Sequence, residues 1–574
     1  MAKFLLGVVV GVVVTIVGAL IIALAIGRLF ANKQPTIAAN SVLVLSLDGE
    51  LPEAAPVDMP IPFIQNQGVP TVRDVWSSLR QAATDNRIKA VVIQPRHLIT
   101  GWGTLEEIRQ DLAAFKRSGK PVYALLDNPG SREYYIASVA DKVFLSPEDL
   151  LDVKGFHLEE LYFKNTLDKL GIAVQVDHIG RYKDAGDIFT RTNMSPETRE
   201  VLNEVLDQVY SDFCATTGSA RHKSADDMKT LVDSGPFLAA QAKAVGLVDV
   251  LGYEDQVYAD LKNKVGAEDL NKVNIRTYFH AVPGRGDRIA LLVGEGDIVS
   301  GEADNSIGSQ AVIASGTFSK LVRQVRNDRS IKGVILRIDS PGGDSIASDE
   351  ILHELKLLSG AKPLVISMSD LAASGGYYVA MTGDPILSYP DTITGSIGVL
   401  YVRPSLRGLY DKLGISDDMV TRGKLADMDS PYLPLSDAAR DKLHDLIQTT
   451  YVSFVSKVSA ARKKSYDQID PIAQGRVWMG MQAQGNGLVD HLGGLDQAIE
   501  LVRKRAHLPA GGETNLVMYP PRRTLLEVLA NASADGVAAS RAETKLRKIL
   551  PELPSEAFLR GGVLRILPYR LSIY

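Results

Sequence analysis

From Ser41 to Leu47 apolar and polar residues alternate, the period-two pattern of a strand, and the run ends at the turn pair Asp48-Gly49. A helical spacing follows over residues 72–84, then a buried strand at Ala90–Ile93, a helix from about Thr104 to Lys116, and a strand at Val122–Leu126. Strands that alternate with helices predict a parallel sheet with crossover helices. The order then recurs: strand near Ile289–Val293, helix over 316–327, strand Val334–Ile338, helix over 347–358, strand Leu364–Met368. Each series is followed by a long helical stretch, near 196–215 and 437–462.

The recurrence is written into the residues. Asp168-Lys169-Leu170-Gly171-Ile172 returns unchanged as Asp411-Lys412-Leu413-Gly414-Ile415, 243 residues later. Ile88-Lys89-Ala90-Val91 matches Ile331-Lys332-Gly333-Val334 at the same offset of 243, and Gly246-Leu247-Val248-Asp249 matches Gly487-Leu488-Val489-Asp490 at 241. Chance matches would not hold register over such a distance, so the chain is a duplication. The expected organisation is a first repeat over 41–265, a linker over 266–286 containing Pro283-Gly284-Arg285-Gly286, and a second repeat over 287–510.

Outside the repeats, Phe4 to Ile26 is an uncharged run of 23 residues, enough helix to cross about 30 Å of bilayer. It exceeds the apolar core of a cleavable signal peptide, so residues 1–30 are expected to be a transmembrane anchor and 31–40 a polar linker. Lys3 precedes the run while Arg28 and Lys33 follow it, so the charge rule leaves its orientation open. Residues 511–574 show no counterpart in the first copy. From Pro521 to Tyr574 nine basic residues face five acidic ones, in a chain whose net charge is −5. That extension could lie on an anionic membrane surface or pack on its own domain. The overall charge argues against nucleic acid as a general partner. The single cysteine, Cys214, excludes an intramolecular disulfide, and no Cys/His cluster has metal-ligand spacing.

Where the copies differ is where chemistry is expected. The second carries Ser340-Pro341-Gly342-Gly343 directly after one strand and Ala373-Ser374-Gly375-Gly376 a few residues after the next. Loops at the carboxyl ends of parallel strands are where open α/β folds place ligands. Glycine there lets backbone N–H groups converge on a developing oxyanion, beside which a serine is a candidate acyl nucleophile. Two tight turns with a capping serine would read the same. The first copy argues against that, because its equivalents, Gln94-Pro95-Arg96-His97 and Ser131-Arg132-Glu133, lack the glycine pairs that architecture alone would still require. A serine nucleophile needs a base. No histidine lies in or near either loop; His353 falls on an outward helical position. A lysine can serve when burial disfavours its charged form. Lys183 and Lys424 occupy equivalent repeat positions, and spacing prefers neither.

These motifs, with Gly180-Arg181-Tyr182-Lys183, Tyr377-Tyr378 and Thr394-Gly395-Ser396-Ile397-Gly398, stand in order across the duplication. On them the chain resembles the long, duplicated form of the signal peptide peptidase A (protease IV) family from the anchor to about residue 510. The resemblance implies two tandem crotonase-like/caseinolytic-protease-like α/β repeats and a Ser–Lys dyad built across them. Ser374 would be the nucleophile and Lys183, from the degenerate copy, the general base. Ser396 would hydrogen-bond the lysine, and the N–H groups of Gly343 and Gly375 would form the oxyanion hole. It further implies no cofactor, a body facing the periplasm from the inner membrane, remnant signal peptides as substrates, an apolar pocket beside Ser374, and a ring-shaped homo-oligomer, a tetramer. Two features depart from the pattern: Lys424 is retained, and Asp184 follows Lys183, where a carboxylate aimed at the amine would keep it charged. Two other readings fit the same fold, a crotonase-like acyl-CoA enzyme and an inactive membrane-bound peptide-binding scaffold.

Overall fold

The computed structural model describes residues 11, 15, 18, 35–54, 70–303, 311–522, 562–567 and 573. The expected anchor, Phe4–Ile26, lies outside the described residues except for Gly11, Thr15 and Gly18. No helix among the described residues is long and apolar enough to cross a membrane.

Each repeat builds a sheet with six parallel strands in the same order, to which the second repeat adds Ile393–Gly395, parallel to Leu364–Ala373, and Val477–Met479, antiparallel to Ile393–Gly395. In the first, the strands run Val250–Leu251, Lys142–Leu145, Val122–Leu126, Ile88–Arg96, Ser41–Asp48 and Asn271–Asn274. In the second they run His491–Leu492, Ile386–Ser388, Leu364–Ala373, Gly333–Ser340, Asp287–Glu295 and Thr514–Tyr519. All of these neighbours are parallel. Central strands such as Ile88–Arg96 and Gly333–Ser340 are almost continuously buried because helices cover both faces. The helices Val72–Thr84 and Ser315–Asn327 occupy equivalent places, as do Pro196–Ala220 and Asp437–Arg462.

Two boundaries differ from the sequence expectation. Residues 266–286 are not simply a linker, because Asn271–Asn274 pairs with Ser41–Val44 as an edge strand and the helix Ile275–Ala281 buries Ile275 and Tyr278. The stretch read as linker because of the turn-forming run Pro283-Gly284-Arg285-Gly286 at its end. The second repeat likewise continues past residue 510: Thr514–Tyr519 pairs with Asp287–Leu292 as Asn271–Asn274 pairs with the first copy, again 243 residues on.

A third, mixed sheet joins the repeats. Its order is Val312–Ala314, Asp297–Val299, Gly342–Asp344, Gly562–Ile566, Val399–Ser405 and Ala173–Ile179. The last strand comes from the first repeat and runs antiparallel to Val399–Ser405 of the second.

Polar groups fix the register between repeats. Arg337, with no exposure, donates to Glu53 at 2.7 Å and to Glu107 at 2.5 Å, both from the first repeat, and to Ser367 and Ser369. Burial alone would lower the Arg337 pKa, but Glu107 and Glu53 hold it above its ordinary value. Asp370 caps the first-repeat helix Trp102–Lys116, whose own N-cap is Gly101, by accepting from the Gly101 and Thr104 N–H groups at 3.1 and 2.7 Å.

Arg337→Ala would leave two carboxylates buried without their partner, which costs about 3–5 kcal/mol, and a denaturant titration is expected to show a loss of that size. Glu106, on the same interface helix, is pushed up to about 8 by burial and then by Asp212. Its folded form therefore binds a proton that the unfolded chain releases near pH 4–5. Stability from this group is present at low pH and lost as pH rises toward about 8. Glu106→Gln is expected to flatten the decline in unfolding midpoint between pH 5 and 8; an unchanged slope would contradict it.

Candidate functional site

Antiparallel pairing brings the two repeats' chemistry together. Ile179 pairs with Val399, so the chain just beyond Ile179 and the chain just before Val399 meet at the same end of the ladder. Those segments hold Lys183 and Ser396. Lys183 has no exposure, and its Nζ lies 2.9 Å from Ser374 Oγ, 2.9 Å from Ser396 Oγ and 3.1 Å from the Ser396 carbonyl oxygen. Its amine also donates to the carbonyl of Ile566.

The strand Leu364–Ala373 delivers Ser374 to a sharp turn before the short helix Gly375–Val379. Ser374 has φ 53° and ψ −111°, a conformation that costs a non-glycine residue on the order of 1–3 kcal/mol. The turn is held by the Ser374 N–H on the Gly395 carbonyl at 2.8 Å and by the buried side chains of Tyr377 and Tyr378. Ser396 also has a positive φ, 49°, and its N–H donates to the Arg476 carbonyl.

The two glycine loops pack directly on each other. A Cβ at Gly376 would fall 2.5 Å from the Ser340 carbonyl oxygen. Gly343 has φ +150°, and a Cβ there would fall 2.1 Å from the Ile298 carbonyl oxygen, so position 343 admits no side chain. Gly375 opens the helix directly after Ser374.

In the first copy a carboxylate occupies the corresponding corner. Ser131-Arg132-Glu133 aligns with Ser374-Gly375-Gly376. Glu133 accepts the Gly130 N–H at 2.9 Å and the Leu98 N–H at 2.6 Å. Backbone donors that could otherwise face a ligand are taken up by the chain itself.

The equivalent lysines have different surroundings. Lys424 is exposed in the loop after Arg407–Leu413, away from the buried cluster that surrounds Lys183. His353 is exposed as well. Asp184 does not aim at the amine. Its carboxylate accepts from Thr198 of the long helix Pro196–Ala220, and burial raises its pKa to about 6; Lys183 is the weakest of the influences upon it.

Sequence reasoning missed the surface against which Lys183 is pressed. Tyr182 N–H donates to the Gln474 carbonyl at 2.8 Å. A Cβ at Gly475 (φ +74°) would lie 2.6 Å from both the Cβ and the backbone nitrogen of Lys183, and one at Gly180 (φ +115°) would lie 2.6 Å from the Gln474 carbonyl carbon. Arg476 follows, stacked on Tyr182 and Trp478 at 4.7 Å and paired with Glu200 and Glu204 of the first repeat. A glycine at 475 carries no signal in one sequence; only the close approach of two backbones from different repeats gives it meaning.

Beside Lys183 lies an apolar cluster of Ala185, Leu400 and Val402 with Val174, Val176 and Phe189 at its edge. Leu564 and Ile566 fill it.

The pattern of peptidase family S49 matches the chain twice, over residues 114–268 and 356–509. A chloroplastic serine protease SPPA of Arabidopsis thaliana is 32% identical over 92% of this chain and 78% of its own. Protease 4 of Salmonella typhi is 32% identical over 83% of this chain and 78% of its own, and protease 4 of Haemophilus influenzae 31% over 83% and 81%. A solved ClpP1 N165D mutant from Listeria monocytogenes covers 36% of this chain and 94% of its own at 13% identity and TM-score 0.22, too slight a likeness to bear on the fold. With two matched repeats and proteases 31–32% identical over most of their length, the chain belongs to peptidase family S49 and is a serine peptidase.

Proposed function

We propose that the chain is an endopeptidase that cuts apolar peptides, remnant signal peptides among them, through a Ser374–Lys183 dyad assembled from both repeats. The observation that carries this is the fully buried Lys183 amine 2.9 Å from Ser374 Oγ. Neutral Lys183 takes the Ser374 proton as the oxygen attacks the scissile carbonyl. The Gly343 and Gly375 N–H groups receive the oxyanion, a contribution of about 3–4 kcal/mol per donor in comparable sites. Lys183 then passes the proton to the leaving amine. A water attacks the acyl-enzyme, gives its proton to Lys183, and Ser374 recovers it as the acid product leaves. The Ser396 hydroxyl and carbonyl aim the amine. The apolar cluster beside the site supports an apolar substrate, and the glycine-lined loops at the strand ends support a crotonase-like oxyanion geometry. In this reading Phe4–Ile26 anchors the body on the periplasmic side of the inner membrane, and the chains assemble as a homo-tetramer; fractionation and sedimentation test those two points.

Ser374→Ala and Lys183→Ala are each expected to lower kcat/KM on an apolar fluorogenic peptide by about 10³-fold or more, with Lys424→Ala close to the parent. Activity lost in Lys424→Ala and kept in Lys183→Ala would move the base into the second repeat. Because the base must be neutral, the parent's kcat/KM should rise with pH through the lysine's titration, and a flat profile from mildly acidic to alkaline pH would count against it. Gly475→Ala pushes a methyl onto the Lys183 backbone, so kcat is expected to fall by about 10²-fold for a displacement near 1 Å, while the fold remains. Unchanged kcat would show that this backbone contact does not set the amine's position.

A further inference from the structure

The strand Gly562–Ile566 lies between the strand that carries Gly343 and the strand that follows Ser396. It is antiparallel to Gly342–Asp344, the strand carrying Gly343, with Gly343 opposite residue 565. On its other side it is antiparallel to Val399–Ser405, with Leu400 opposite Leu564 and Tyr401 opposite Val563. It is thus bonded through its backbone on both edges, in the slot directly over the glycine loop. Its carbonyl at Ile566 accepts from Lys183, the same amine that bonds Ser374 Oγ. The next residue, Leu567, donates its N–H to the Pro341 carbonyl at 2.7 Å, within the glycine loop itself. Leu564 and Ile566 are each 2% exposed and fill the apolar cluster of Ala185, Leu400 and Val402. Further on, the Ile573 carbonyl accepts from Arg132, the first-copy counterpart of Gly375, at 2.6 Å.

We propose that Gly562–Ile566 is an intrachain pseudo-substrate, which must leave the cleft before a peptide can enter; this rests on the peptidase reading of the site. Three features set it apart from an ordinary structural strand. Its departure would expose two sheet edges facing each other, and paired edges of that kind accept an extended peptide by strand addition. Its alternate side chains occupy the apolar cluster beside Lys183. Its carbonyl occupies a hydrogen-bonding position on the lysine that the chemistry needs. A substrate strand of the same direction would inherit all three. Substrate affinity is then reduced by the fraction of molecules whose cleft is open, so a segment that leaves one molecule in ten open would raise apparent KM about tenfold.

The test uses the full chain in two variants. Leu564→Asp with Ile566→Asp places two charges in the apolar cluster and should expel the strand. Its KM for an apolar fluorogenic peptide is expected to fall about tenfold with kcat little changed, and a synthetic peptide of residues 562–567 should inhibit it competitively. Tyr401→Cys with Val563→Cys joins directly opposed residues, so oxidation should suppress turnover and reduction restore it in the same sample; this arm stands even if the charged variant fails to fold. An unchanged or raised KM after expulsion, or full turnover with the strand covalently tethered, overturns the proposal while leaving the peptidase reading intact. If no form cleaves peptide, the peptidase reading fails. Anisotropy of a labelled apolar peptide on the same variants then decides the pseudo-substrate question: tighter binding after expulsion supports it, and equal binding overturns it.

Discussion

A lysine amine with no access to water must be satisfied where it lies, and Lys183 is satisfied by oxygens of the other repeat. Ser374 and Ser396 both belong to the second copy, and Lys183 to the first. Nothing local fixes that relation, so the whole inter-repeat contact has to hold it. Arg337 held between Glu53 and Glu107, Asp370 capping a first-repeat helix, and Arg476 gripping Glu200 and Glu204 all cross the same boundary. Buried ion pairs are weak evidence for stability, because desolvation offsets much of their attraction. Their geometric demands are better suited to holding one register, which is what the proposed dyad, split between repeats, would require.

The duplication has been resolved into two unlike halves by small means. The second copy keeps glycines at positions where a side chain would collide with backbone, as at Gly343 and Gly376. The first copy has filled the equivalent corner with Glu133, whose carboxylate takes up backbone N–H groups from Gly130 and Leu98. It retains what an accessory half needs, the strand Ala173–Ile179 and the turn that presents Lys183. One sheet then joins strands from both halves, with Ala173–Ile179 antiparallel to Val399–Ser405.

Much of this is legible in the sequence. The helix over 72–84 read correctly because its apolar positions recur at helical spacing behind the Thr71 cap, and the strand Val122–Leu126 because it is a short apolar run bounded by turn residues. The glycine loops were legible because one copy has them and the other does not. The edge strands at 271–274 and 514–519 were not, being short and half polar. Spacing did not separate Lys183 from Lys424, since equivalent positions in a repeat give equal patterns while burial is decided by packing; only the resemblance carried by Gly180-Arg181-Tyr182-Lys183 preferred Lys183. Gly475 and Ile566 act only through contacts made with residues hundreds of positions away.

The most direct test of the split dyad is chemical restoration of the amine. In a Cys214→Ala background, Lys183→Cys should be inactive, and alkylation with 2-bromoethylamine during refolding should rebuild a lysine-like amine there. Turnover that returns on aminoethylation at position 183, and does not depend on the same treatment of Lys424→Cys, is the predicted result. Lys183→Cys that cleaves peptide before alkylation would contradict the account, because the proton would then be taken by a group other than the amine bonded to Ser374.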